Sequence, residues 1–171
     1  MTGMNDDSDL LKRRVELYAE RKKRSIVAEP LGGGTDGTVW ETTHKTAIKI
    51  LRKPDVFANE LECYKRLLRK NITEIHGFAV PRLIDYAADL LAIEMDIVEP
   101  PRILDFGKVR IDDPGDYSQQ TLADELERQQ ELWGNHWPVI RRVLSYLQGL
   151  GIYYTDPNPY NITPEKWDPE L

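Results

Sequence analysis

Cysteine is nearly absent. Cys63 stands alone, so no internal disulfide can form, and the usage fits a reducing compartment. Long apolar runs are missing as well: nothing approaches the roughly 18 consecutive apolar residues that a membrane helix needs. Residues 1–7 lack a basic-then-apolar leader pattern, so a cytoplasmic protein with no membrane association is expected. Positive charge is in deficit, with 23 Lys and Arg against 29 Asp and Glu. A net charge of −6 and a pI near 5.2 exclude a nucleic-acid surface as the main business of the chain. The Asn-x-Thr triplets at Asn71 and Asn161 then carry no glycosylation meaning. What remains is an ordinary globular composition, 40% hydrophobic and 30% charged. At 171 residues there is room for one domain, or for two small lobes sharing a cleft.

One stretch organises the rest, Leu31 to Trp40, followed by Thr46-Ala47-Ile48-Lys49. Its spacing is Gly32-x-Gly34-x-x-Gly37-x-Val39, then a turn at His44-Lys45, then a strand that carries a lysine. Ile26-Val27-Ala28, Thr38-Val39-Trp40 and Ala47 to Leu51 have strand composition. The pattern predicts a β-meander whose first turn has no side chains in the way. A backbone without Cβ atoms can lie over a polyphosphate and offer it N–H donors, and Lys49 would aim a positive charge at the same place. A Rossmann fingerprint needs a helix opening inside the glycines, but Thr38 to Thr43 are strand formers. A Walker-type loop needs a Gly-Lys-Ser/Thr that does not follow.

The glycine triplet, Val39 and Lys49 together resemble the nucleotide-binding lobe of the protein-kinase family. In that family the loop covers ATP and the lysine holds its α/β-phosphates. The resemblance implies a carboxylate on the next helix to orient Lys49. That helix is expected from about Asp55 to Arg69, after Pro54, with Phe57, Leu61, Tyr64 and Leu68 as its buried stripe. Glu60 falls on the inward face and Glu62 about 200° away, so Glu60 is the candidate and Glu62 a solvated charge. Pro81–Tyr86 and Leu90–Val98 read as two further strands. The second runs into a hinge at Glu99-Pro100-Pro101, where Glu94, Met95 and Asp96 would present backbone groups to adenine. With Gly32, Gly34, Gly37, Val39, Ala47 and Lys49 they form the expected nucleotide site.

Elsewhere the reading is plainer. Ser8 is the expected N-cap of a helix from Asp9 to about Lys23, with Leu11, Val15 and Tyr18 on one stripe and a solvated basic end, Arg21 to Arg24. Residues 109–120 read as a loop. Thr121 would cap a helix to about Trp133. A second helix from Trp137 to Gln148 would bury Trp137, Ile140, Leu144 and Leu147.

Asp156 and Asn161 then stand five residues apart in a proline-rich turn. The spacing resembles the kinase catalytic loop, with Pro159 where that loop has its proline. The resemblance implies that Asp156 takes the proton of an acceptor hydroxyl and that Asn161 ligates Mg2+. Departures are informative. The His and Arg expected before the aspartate are Tyr154 and Thr155, and the loop cation is Asn158. The family's second metal-binding aspartate follows the loop after a β-hairpin, and only Asp168 remains, too near for that. The letters Asp105-Phe106-Gly107 match the magnesium triplet, but they precede Asp156 by some fifty residues. In that position the match reads as accidental. Asp105 is expected at the outer mouth of the cleft, binding no metal, its carboxylate capping a helix or pairing with a nearby Arg or Lys.

The expectation is an α+β, minimal protein-kinase-like fold: a five-stranded antiparallel sheet with one helix, then a short helical lobe. The divisions fall at 1–25 (helical extension), 26–100 (small lobe) and 101–171 (truncated large lobe), with the resemblance covering about 26–162. Two functions stay open: an ATP- and Mg2+-dependent phosphotransferase to an unknown acceptor, and a non-catalytic pseudokinase that binds nucleotide or a protein partner.

Overall fold

The structure is a computed structural model, and it describes residues 3–166. Asp168 lies outside the described residues. The architecture is α+β, and its main sheet has five antiparallel strands in the order β1-β2-β3-β7-β6. These are β1 (Ile26–Gly33), β2 (Gly37–Thr42), β3 (Thr46–Leu51), β6 (Leu83–Ala87) and β7 (Ala92–Asp96). Helix α1 (Gly3–Lys22) precedes them, and α2 (Pro54–Arg69) follows β3. The short strands β4 (Glu74–Ile75) and β5 (Phe78–Ala79) come next in the chain after α2. The second half carries β8 (Arg102–Ile103), β9 (Val109–Ile111), α3 (Gln119–Trp133), α4 (Trp137–Gly149), β10 (Ile152–Tyr154) and β11 (Ile162–Thr163).

Strand β3 explains how the sheet is covered. Side chains alternate faces along a strand, yet Ala47 through Leu51 are all buried. Ile48 and Ile50 enter a core with Leu11, Val15 and Tyr18 of α1. Ala47 and Leu51 enter the larger core with Phe57, Leu61 and Tyr64 of α2. One helix therefore covers each face, and Lys49, between Ala47 and Leu51, is left on the α2 side.

Local readings shift at several points. Helix α1 continues through Ser8 to Gly3, so Ser8 is interior rather than a cap. The basic end of α1 is not simply solvated: Arg21 holds Asp89 at 2.8 Å, Lys22 holds Asp85 at 2.7 Å and Arg24 holds Glu94 at 2.9 Å. Leu67, not Leu68, completes the buried stripe of α2. Both lie within one turn of Tyr64, so spacing alone does not choose between them. Ser118 caps α3 by accepting the Thr121 N–H. On α4, Val143 rather than Leu144 is fully buried with Ile140 and Leu147.

The second half is joined by short pairings between distant segments. Strand β8 pairs antiparallel with β11, matching Ile103 to Ile162. Strand β9, in a stretch expected as loop, pairs with β10, matching Val109 to Tyr154. Three residues have little intrinsic reason to be a strand, and here a partner some forty residues away supplies it.

Candidate functional site

Between the main sheet and these paired segments lies a cleft of about 760 Å³. Its roof is the glycine loop, and the three glycines do different things. A Cβ on Gly37 would collide with the Ile50 carbonyl of β3, whereas Gly32 and Gly34 have nothing within 4 Å of that position. Gly37 is thus required by strand packing, while at Gly32 and Gly34 the space a side chain would fill is empty; the Gly34 N–H itself is turned to the Gly37 carbonyl at 2.9 Å. The tip is fastened from below: Arg52 donates to the Gly34 carbonyl at 2.6 Å, and the Arg52 N–H to the Asp36 carbonyl at 2.9 Å.

At the inner end the Lys49 ammonium is 2.9 Å from both Glu60 oxygens and 2.9 Å from Asp105 Oδ1. Glu60 is fully buried, and Glu62 faces Arg66 and Arg69 instead. Burial opposes the charge on Lys49, but Glu60 and Asp105 outweigh it and hold the ammonium above the ordinary lysine range. Burial pushes the Glu60 carboxyl up against the pull of Lys49, and Asp105 adds to the push. Asp105 is also partly desolvated, yet Lys49, the Gly107 N–H and Lys108 keep its carboxyl below the ordinary value.

The placement of Asp105 corrects the sequence expectation. Its carboxylate does pair with a lysine and does cap a short 3-10 turn, Phe106–Lys108, by accepting the Gly107 N–H. It is not at the outer mouth. The Leu104 N–H donates to the Asn161 carbonyl at 2.7 Å, and Tyr154 donates its hydroxyl proton to the Leu104 carbonyl at 3.0 Å. Phe106 is buried edge-on to Tyr64 of α2, with ring centroids 5.1 Å apart. The segment folds back beneath the cleft because β11 gives β8 a partner there. Asp105 itself sits at φ 58°, ψ 78°, a left-handed conformation that aspartate tolerates at a cost of about 1 kcal/mol.

Asn161 is buried, and its side-chain N–H donates to the Asp156 carbonyl, which leaves the amide oxygen of Asn161 uncommitted by that bond. Asn161, Asn158 and Tyr160 line the cleft with Asp105 and Lys49. Asp156 does not. Its side chain is about half exposed, and its nearest cation is Arg128 of α3 at 3.9 Å. Val39, Ala47, Met95 and Asp96 line the opposite wall.

Glu94 is a second correction. It lies on the α1 face of the sheet, accepting from Tyr18 at 3.0 Å, Arg24 at 2.9 Å and Thr46 at 2.8 Å. Strand alternation sends it there, opposite Met95. The backbone of Glu94 to Asp96 is flanked by β3 on one side and β6 on the other. The Asp96 N–H already goes to the Arg82 carbonyl. Past the sheet, Ile97, Val98 and Glu99 line the cleft mouth.

Among the lining residues that sequence reasoning missed are three charged ones, Asp36, Arg102 and Lys108. Asp36, at the glycine-loop tip, would be 3.4 Å from a Cβ on Gly107, so roof and floor meet there. Charge type and position after Asp105-Phe106-Gly107 could have flagged Lys108 once that triplet was admitted to the site. Among the described residues no group of three or more His, Cys, Asp or Glu is arranged to hold a metal, and no helix is long and apolar enough to cross a membrane.

No protein-family model and no curated protein matches the sequence. Among solved structures the chain is similar to aminoglycoside phosphotransferases. The ADP-bound APH(2'')-Ib structure is 17% identical, with a TM-score of 0.39 over 71% of this chain and 39% of that one. The streptomycin–ATP complex of APH(2'')-IIa is 15% identical, with a TM-score of 0.38 over 70% and 38%. The gentamicin complex of APH(2'')-IIa is 17% identical, with a TM-score of 0.37 over the same shares. The chain spans about two fifths of the length of these enzymes.

Proposed function

We propose that the cleft binds ATP together with a divalent cation, and that the chain is a phosphotransferase of kinase-like design. The observation that carries this reading is the Lys49 ammonium, held by Glu60 and Asp105 at 2.9 Å each beneath an open glycine loop. A fixed cation under a loop whose glycines bring no side chains into the way is suited to phosphate. Adenine would occupy the end lined by Met95 to Glu99, with the backbone of Ile97 to Glu99, which lies past the sheet pairing, reading its edge in place of Glu94 to Asp96.

The donor set fits Mg2+. Asp105 offers an ionised carboxylate and Asn161 an amide oxygen, both hard ligands. Two protein ligands are what this ion takes when phosphates and water complete its shell. When bound, the ion neutralises charge on the β- and γ-phosphates. Strands β8 and β11 pair antiparallel, as the two strands of the hairpin beyond a kinase catalytic loop would, but with their order in the chain exchanged. That exchange accounts for an Asp-Phe-Gly that comes early in the sequence and still reaches the loop. In transfer, the bond from the γ-phosphorus to the ADP oxygen breaks, and an acceptor hydroxyl oxygen bonds to phosphorus. The hydroxyl proton goes to the Asp156 carboxylate, which is exposed enough for an acceptor to reach.

A second reading rests on that same Asp156, whose side chain points outside the cleft lining toward Arg128. A chain that binds nucleotide with Asp156 held there is a pseudokinase. Two measurements separate the readings. Thermal stability in ATP and Mg2+ tests the site, since a ligand at 100 times its Kd adds about 2.7 kcal/mol. ADP formation, absent in Asp156→Asn, tests the chemistry. No stabilisation by ATP or ADP with Mg2+ overturns both readings; stabilisation without ADP formation leaves the pseudokinase.

A further inference from the structure

We infer that Lys108 is the cation that receives the terminal phosphate, an inference that rests on the nucleotide reading above. Three cations line the cleft: Lys49, Arg102 and Lys108. Lys49 is committed to two carboxylates, so the trio of Lys49, Glu60 and Asp105 is itself net negative. Arg102 sits on β8 toward the hinge and gives Nη1 to the Val98 carbonyl at 3.0 Å. Of these three, the Lys108 ammonium is the one with no ion pair or hydrogen bond to a described residue. The cleft also carries Asp36, Asp96 and Glu99. A polyphosphate entering a site with five carboxylates needs every uncommitted positive charge it can reach.

Position points the same way. The Lys108 carbonyl accepts both the Thr155 N–H at 3.1 Å and the Thr155 hydroxyl at 3.0 Å. These two bonds tie the backbone of Lys108 to the residue before Asp156, at the end of the cleft away from Met95 and Glu99. The next residue, Val109, begins the β9 pairing with Tyr154, so the carrier of the ammonium is fixed at both its carbonyl and its following residue. The charge is already felt at Asp105, whose carboxyl it helps hold down. The Asp156–Asn161 loop contributes no cation, because Asn158 stands where one would be. A lysine carried on the Asp105 segment fills that gap from across the β9–β10 pairing. It is aimed at the phosphate farthest from the base, where charge redistributes as the P–O bond breaks.

The test compares Kd for ATP and for ADP, each with Mg2+, by titration calorimetry on the whole chain. Lys108→Met is expected to weaken ATP by roughly tenfold or more, the worth of one charge-assisted contact, and to leave ADP unchanged. Lys108→Arg should keep most of the ATP preference. Adding Asn158→Lys to Lys108→Met should restore it. Lys108 is exposed, so the melting temperature without nucleotide should not move, and a shift would expose a folding defect instead. If Lys108→Met leaves the ATP-to-ADP ratio as in the parent, or weakens both nucleotides alike, the inference is wrong while the nucleotide site stands. If the parent chain binds neither nucleotide, both fall together.

Discussion

The roof of the cleft comes from one uninterrupted run, Gly32 to Tyr64, whereas the floor is stitched from residues 102–108 and 154–163. In the roof each functional group is placed by the strand or helix it belongs to. Lys49 faces the cleft because β3 alternates, and Glu60 meets it because α2 turns at 3.6 residues. In the floor, position comes from pairing across the gap: Ile103 with Ile162, Val109 with Tyr154, Leu104 with Asn161. Local rules therefore locate half the site, and non-local contacts the other half.

The largest loss is expected on removing the ammonium that pairs with a carboxylate from each half. Lys49→Met leaves fully buried Glu60 without its partner. Breaking a buried pair on one side costs about 3–5 kcal/mol, so the urea midpoint should fall sharply and nucleotide binding should vanish. Lys49→Met with Glu60→Leu should regain stability and still not bind. If the double variant binds ATP as the parent does, the phosphate assignment of Lys49 fails. A somewhat smaller loss is expected from the floor. Ile103→Ala empties a site buried between β8 and its neighbours, at about 2–4 kcal/mol. Because it loosens the support of Asp105, it should also weaken the dependence of nucleotide binding on Mg2+. Unchanged metal dependence at reduced stability would separate the floor from the site.

Legibility in the sequence follows the same division. The five strands, the Lys49–Glu60 pair and the α1 stripe of Leu11, Val15 and Tyr18 can be read from spacing. Periodicity, turn residues and charge decide them within a dozen positions. Asp105 could not be placed that way. The triplet was visible, but chain order argued it away, since nothing local announces that Arg102-Ile103 will pair with Ile162-Thr163. Strands of two or three residues carry no pattern of their own. Glu94 differs for another reason: its strand is legible, but the β3 and β6 pairings that flank its backbone, and the Tyr18 and Arg24 that meet its side chain, lie far off in sequence.

Away from the cleft, the contrast sharpens at the α1 face. Tyr18 and Glu94 are buried there, joined by a 3.0 Å hydrogen bond. Tyr18→Phe keeps the ring packed and removes one bond to a carboxylate, about 1.5 kcal/mol. Stability should drop by that much with Kd for ATP unchanged. A tenfold change in Kd would mean that α1 speaks to the cleft through β7, although Glu94 is not among the described residues that line it.

The smallest effect on the unliganded chain, and the most discriminating, is expected from Asp105→Asn. The Asp105 carboxyl is held below its ordinary value of 3.8, its burial outweighed by Lys49 and the Gly107 N–H. A depressed carboxyl contributes stability that is present above its unfolded pKa and lost as pH falls through the folded one. That contribution should therefore fade below about pH 3.8. With 42% of the side chain exposed, solvent screening keeps it small. Glu60 has the opposite sign: its carboxyl is raised, so its protonated form is favoured on folding, and that contribution is lost as pH rises through the raised value. The Asp105→Asn substitution would flatten the acid limb. It would also remove a neighbour that pushes Glu60 up, so the proton uptake by Glu60 should move to lower pH. Urea titrations between about pH 2.5 and 6 read both changes in one variant. A parent and variant with superimposable pH profiles would mean that Asp105 is not ionised against Lys49 in solution. If the profiles diverge as argued and Mg2+ no longer tightens ATP binding, the early Asp-Phe-Gly is the metal arm of the floor.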